Sequence, residues 1–71
     1  MSGKEKVLAR YEEYREGKLY DTLTLYFDEE EGMYKMIWGS IPNNVVKYRD
    51  FMRMRELAHS WVRTFNLKKV V

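Results

Sequence analysis

Residues 18–41 read KLYDTLTLYFDEEEGMYKMIWGSI, and this stretch decides the predicted fold. Leu23, Leu25 and Phe27 alternate with threonine and tyrosine, which is typical of a strand that buries one face. The acidic residues 28–32 end in a glycine that can adopt positive φ, so they predict a turn. The stretch therefore predicts an antiparallel β-hairpin.

The second strand of this hairpin is predicted over residues 33–41, and the apolar pattern fixes its register. Phe27 is expected opposite Tyr34, Leu25 opposite Met36, and Leu23 opposite Trp38. This register places every large apolar side chain on one face. A shift by one residue would scatter these side chains over both faces, so the stated pairing is favoured.

The segment before the hairpin is predicted to be a helix. Ser2 and Glu5 have the spacing of a capping box. Gly17 stands where a left-handed residue would end the helix. The apolar residues between them recur at helical spacing and are Val7, Leu8, Tyr11 and Tyr14. A strand over residues 7–15 is the second interpretation, because tyrosine is common in strands.

The segment after the hairpin is predicted to end in a helix of about Asp50 to Asn66, with Asp50 as its N-cap. The apolar side of that helix comprises Phe51, Met54, Leu57, Ala58, Trp61, Val62 and Phe65. Pro42-Asn43-Asn44 predicts a turn before it. Residues 45–48 then form either a short third strand or the beginning of the helix.

Together these elements predict one small α+β domain spanning residues 1–71. An N-terminal helix precedes an antiparallel β-hairpin or three-stranded meander, and a long C-terminal helix packs on one sheet face. The chain has no cysteine, which fits a reducing compartment, and no apolar run long enough to cross a membrane. Its N-terminus lacks the apolar core of a secretory signal, so a cytoplasmic location is expected.

Charge is unevenly distributed along the chain. Residues 43–71 carry seven lysines and arginines against Asp50 and Glu56, a net charge of +5. Residues 17–42 carry a net charge of −3, mainly from the acidic turn. Such polarisation says more about partners than about fold.

The basic residues of the C-terminal third are the candidate site. Arginine suits phosphates, and like-charged neighbours at i,i+4 repel each other on an ordinary helix face. The predicted nucleic-acid-binding residues are Lys47, Arg49, Arg53, Arg55, Arg63, Lys68 and Lys69. Three tyrosines that could stack on bases are Tyr20, Tyr26 and Tyr48. The alternatives are an ordinary charged face that pairs with the acidic turn, and contact with an acidic protein surface.

No catalytic or metal-binding constellation is visible in the sequence. His59 is the only histidine, and Ser60 lies about 100° away around the helix, so the two do not face each other. The acidic run 28–31 lacks the ligand spacing of a calcium loop. The scattered glycines form no phosphate-binding loop. We therefore expect no catalytic residue, no metal and no cofactor.

Several stretches resemble the WGR domain. They are Lys18-Leu19-Tyr20, the strand with Leu23 and Leu25, the turn ending at Gly32, Tyr34, and Trp38-Gly39-Ser40-Ile41. The helix bearing Glu56, Ala58, Trp61, Val62, Arg63 and Phe65 is similar to the helix that follows the family motif. Ser40 stands where the motif has arginine. The resemblance covers residues 18–66 and implies a twisted antiparallel sheet with a packed helix that contacts DNA ends or backbone.

The sequence as a whole predicts a small non-enzymatic accessory protein that binds nucleic acid through its basic C-terminal helix, without a membrane partner. The alternative is a protein–protein interaction module, either an inhibitor or adaptor, or a homodimeric structural protein that uses its aromatic surface.

Overall fold

The computed structural model describes residues 4–70 and contains five strands and one helix. The elements in chain order are β1 (Glu5–Arg15), β2 (Lys18–Asp28), β3 (Met33–Trp38), β4 (Val46–Tyr48), α1 (Phe51–Phe65) and β5 (Lys68–Lys69). The strands form a single antiparallel sheet in the order β4-β3-β2-β1-β5. The described part of the chain has no helix long and apolar enough to cross a membrane.

The predicted N-terminal helix is wrong, because residues 5–15 form β1. The two-residue loop Glu16–Gly17 joins β1 to β2, and both residues have positive φ, 53° and 77°. That backbone is the one a tight hairpin turn requires, so Gly17 closes a hairpin and ends no helix. Ala9, Tyr11 and Glu13 alternate along one face of β1. Ser2, half of the predicted capping box, lies outside the described residues.

The predicted hairpin register is confirmed. In the β2–β3 pair, Leu23 lies opposite Trp38, Leu25 opposite Met36, and Phe27 opposite Tyr34. The β3 strand ends at Trp38, earlier than the predicted Ile41. The Gly39 N–H still donates to the Thr22 carbonyl at 2.8 Å.

The C-terminal third differs from the predicted arrangement. Residues 46–48 form β4, the third strand that the sequence left open. The Asp50 carboxylate caps α1 by accepting from the Met52 N–H at 3.0 Å. However, α1 is a short helix of 15 residues, and β5 follows it. The predicted fold of two helices with two or three strands is therefore wrong, since one helix accompanies five strands within residues 4–70.

The core lies between α1 and one face of the sheet. Leu23, Met36 and Met54 are fully buried there. Tyr34 packs on Phe51 near the beginning of α1, and Trp38 packs on Phe65 at its end. The helix therefore runs alongside β3, and the chain then crosses to the far edge of the sheet as β5.

Candidate nucleic-acid interface

The acidic turn between β2 and β3 is neutralised by lysines of the sheet. Lys35 Nζ lies 2.7 Å from Asp28 Oδ2 and 2.9 Å from Glu31 Oε2. A second lysine, Lys47 on β4, lies 3.4 Å from Glu31 Oε1, and Lys6 on β1 lies 3.1 Å from Glu29. Within residues 4–70, none of these carboxylates pairs with an arginine of the helix.

Hydrogen bonding within this cluster shifts the ionisation of its members. The hydrogen bond from Lys35 lowers the pKa of Asp28, and backbone N–H groups of the turn act in the same direction. The same ammonium lowers the pKa of Glu31. The two carboxylates in turn raise the pKa of Lys35. All three groups therefore stay charged near neutral pH, and they offset one another.

The arginines of the C-terminal third are exposed. Arg49, Arg53, Arg55 and Arg63 form no ion pair with any residue in the described range 4–70. They do not form one continuous face. At about 100° per residue, Arg53 and Arg55 lie on opposite flanks of α1, and Arg63 lies about 80° from each of them, on the outer face between the two flanks.

The Arg55 flank faces the β1 side of the sheet, where a groove of about 260 Å³ lies between α1 and the strands. We call this the α1–β1 groove. Its lining residues are Leu8, Ala9, Tyr11, Leu25, Phe51, Arg55, Ala58, His59 and Lys69. The groove exists because α1 packs chiefly on β3 and β4, and because the facing residues Ala9 and Ala58 are small.

The two C-terminal lysines reach this region through β5. Lys69 pairs with Tyr11 of β1 and lines the α1–β1 groove. Lys68 pairs with Glu12, so its side chain lies on the other face of the sheet. Both side chains are exposed. The structure therefore brings Arg55 and Lys69 together with His59, whereas Lys47 lies in the acidic cluster.

The three predicted stacking tyrosines do not share a surface. Tyr20 is 56 % exposed, but the Arg15 guanidinium lies 3.6 Å from the centre of its ring. Tyr26 lies on the sheet face that no helix covers within residues 4–70, and partial burial raises its pKa. Tyr48 is half-buried against the core. Only Tyr48 lies on the helix side of the sheet.

A second pocket, of about 210 Å³, lies near the end of α1 beside Trp38 and Phe65. Its Glu13 carboxylate is already bound by Arg15 at 3.0 Å. Its Asp21 carboxylate accepts from the Ser40 hydroxyl at 2.6 Å. Both carboxylates therefore already bind other side chains of the protein and stabilise its fold. Residues 4–70 contain no cluster of acidic residues and histidine arranged to hold a metal ion.

Sequence reasoning missed the groove and seven of its nine lining residues as a site, Ala9, Tyr11, Ala58 and His59 among them. Ala9 and Tyr11 belong to β1, which was predicted to be helical. The pairing of β5 with β1, which brings Lys69 to the groove, involves only two residues and leaves no recognisable pattern in the sequence. The alternation of Ala9, Tyr11 and Glu13 was the available signal for β1.

The chain matches no protein-family model, and no curated protein or solved structure shows significant similarity to it. The resemblance of residues 18–66 to the WGR domain therefore stays a prediction.

Proposed function

We propose that this chain is a small non-enzymatic accessory protein that binds nucleic acid through basic residues of α1 and β5. One observation carries the proposal: the acidic turn is paired with Lys6, Lys35 and Lys47, and the helix arginines have no acidic partner within residues 4–70. The simplest competing explanation for a charged helix, an internal salt-bridge network with the acidic turn, therefore does not account for them.

Arg55 and Lys69 line the α1–β1 groove, and Arg63 lies on the outer face of α1. Lys68 lies at the same sheet edge as Lys69. Guanidinium and ammonium groups in such an arrangement contact phosphates largely without reading base sequence. Lys47 contributes less, because Glu31 neutralises it. Arg49 and Arg53 extend the positive surface to the other side of the helix.

Salt dependence of binding tests the proposal. Affinity for any DNA or RNA is expected to fall steeply with added salt, by about 0.9 log unit per log unit of salt for each B-DNA phosphate neutralised. Arg55→Gln and Lys69→Gln should each reduce that slope by about 0.9, which is the contribution of one neutralised phosphate. Lys47→Gln is the matched control and should leave the slope nearly unchanged. Absence of binding to both duplex and single strands at about 50 mM salt would refute the proposal.

A second candidate function, self-association, is favoured by the outer edge of β1. In the described part of the chain, β5 covers this edge only near Arg10, Tyr11 and Glu12. The neighbouring Val7 and Leu8 are 49 % and 42 % exposed. Open edges with apolar side chains are templates for strand pairing with another chain. Light scattering at micromolar concentration would report a dimer, and a monomeric mass would exclude this candidate.

A further inference from the structure

The α1–β1 groove combines an apolar floor with a positively charged rim. Ala9, Leu25 and Ala58 are buried and form the floor. Ala58 lies on the helix and Ala9 on the strand opposite, so neither side chain fills the space between the two elements. The groove is therefore a consequence of residue size at one contact between helix and sheet.

Aromatic side chains belong to the lining. Tyr11 on β1 is half-buried, and Phe51 at the beginning of α1 is 40 % exposed. Aromatic rings at an accessible apolar site are the usual platforms on which unpaired bases stack, and each stacked base contributes to affinity independently of sequence.

The rim is basic throughout. Arg55, His59 and Lys69 line the groove, which contains no acidic residue among its lining. None of the three forms an ion pair within residues 4–70. At about 260 Å³, the groove is smaller than the sites that hold drug-sized ligands, which begin at about 300 Å³. A flat ring attached to a phosphate matches both its size and its charge.

We propose that the α1–β1 groove captures one unstacked base of a single-stranded nucleic acid and that Arg55 and Lys69 bind the adjoining phosphates. The inference rests on the proposed function and deepens it, because it assigns the ligand class as single strands. A base inside a duplex is stacked on both faces and cannot enter the groove without flipping, which costs a few kcal/mol.

The first test compares three ligands of equal phosphate count on the whole chain. They are a single strand of about 12 nucleotides, within the usual site size, the same strand with abasic sites, and a duplex. The normal single strand is expected to bind at least about fivefold more tightly than the abasic strand, the lower end of what one stacked base supplies. Equal binding of normal and abasic strands would overturn the inference.

The second test fills the groove without changing its charge. Ala9→Met places a longer side chain on the floor and is expected to abolish the preference for normal over abasic strands. Thr24→Met, on the uncovered sheet face, is the matched control and should retain it. An unchanged preference in folded Ala9→Met, as judged by circular dichroism, would contradict the inference.

The third test needs no variant. Adenosine 5′-monophosphate is titrated into the wild-type chain and observed by NMR, with inorganic phosphate as the comparison ligand. The methyl signals of Ala9 and Ala58 are expected to shift with the nucleotide and not with phosphate. Absence of such shifts at saturation, or equal shifts with both ligands, would contradict base capture.

These outcomes separate the inference from the proposed function. If affinity falls with salt as expected but is equal for normal and abasic strands, base capture is overturned and phosphate binding is supported. Failure to bind any nucleic acid overturns both. Equal competition by polyglutamate, which lacks both bases and phosphates, also overturns base capture and indicates an acidic protein surface as the partner.

Discussion

Lys35 Nζ lies 2.7 Å from Asp28 Oδ2 on the sheet face that no described helix covers. Both side chains are less than one-tenth exposed, although their strands present this face to solvent. Glu31 binds the same ammonium, and Lys47 extends the cluster to β4. These ion pairs therefore hold the turn between β2 and β3 against β3.

This cluster predicts a loss of stability in acid. The hydrogen bond from Lys35 lowers the pKa of Asp28 in the folded state. The folded state therefore gains stability above the unfolded pKa of about 3.9 and loses it as pH falls through the lower folded value. We expect the midpoint temperature of thermal unfolding to fall when the pH is lowered below about 4. In Asp28→Asn this fall should be less steep. Calorimetry between about pH 2 and 6 measures this.

The matched control for the acid prediction is Glu30→Gln. The Glu30 side chain forms no ion pair with the described residues, so this variant should keep the wild-type pH profile. An Asp28→Asn profile that runs parallel to the wild type would show that the pair with Lys35 adds no pH-dependent stability.

The β1–β2 turn offers a stabilising substitution. Glu16 has φ 53°, a left-handed backbone that asparagine adopts more readily than glutamate. Glu16→Asn is expected to raise the free energy of unfolding by roughly 0.5–1 kcal/mol, measured by urea denaturation. Glu16→Gln removes the same charge without favouring that backbone and should be near neutral. If both variants gave the same gain, charge and not backbone would be responsible.

The adjacent glycine should respond in the opposite direction. Gly17 has φ 77° with open space around its Cα, so only the backbone opposes a side chain there. Gly17→Ala is expected to lower the free energy of unfolding by about 1–2 kcal/mol. A neutral result would mean that the turn can adopt another geometry.

Gly39, which follows β3, lies close enough to Thr22 of β2 to be sensitive to substitution. A Cβ on Gly39 would lie 2.5 Å from Thr22 Oγ1. Gly39→Ala is therefore expected to destabilise the chain by about 1–3 kcal/mol, as overpacking does. Thr22→Ala in the same chain should recover most of the loss. A double-mutant cycle in urea checks this, and strictly additive effects would exclude the contact as the cause.

Two methionines of α1 provide a matched pair for the core. Met54 is fully buried against the sheet, whereas Met52 is 55 % exposed. Met54→Ala is expected to cost about 2–5 kcal/mol, because it removes buried apolar area and leaves a cavity. Met52→Ala should change stability by less than about 0.5 kcal/mol. Similar losses for both variants would contradict the packing of α1 described above.

The sequence correctly predicted those elements that are determined by residues close together in the chain. The alternation around Leu23 and Leu25 determined the β2–β3 register, and the short side chain of Asp50 marked the beginning of α1. The same reasoning misassigned β1, because Val7, Leu8, Tyr11 and Tyr14 fit a helical period as well as a strand. Gly17 did not resolve this ambiguity, since positive φ serves both a helix end and a hairpin turn.

The candidate site was only partly predictable for a different reason. The basic residue types were visible, but their grouping depends on contacts between distant parts of the chain. Arg55 and Lys69 meet at one groove only because β5 pairs with β1. Lys47 does not belong to this set of unpaired basic residues, because it forms an ion pair with Glu31. Neither relationship has a local signature.

The pairing of β5 with β1 also determines the order in which the strands of the sheet can pair during synthesis. During synthesis, β1 and β2 can pair as soon as their short turn has formed, since that contact is local. The outer edge of β1 near Arg10 is covered only when β5 is present, since the Val70 N–H donates to the Arg10 carbonyl at 2.8 Å. The residues up to Val70 must therefore have left the ribosome before β5 can cover this part of the edge. Until then the nascent chain presents an unpaired edge of β1, and truncation before β5 would leave that edge open.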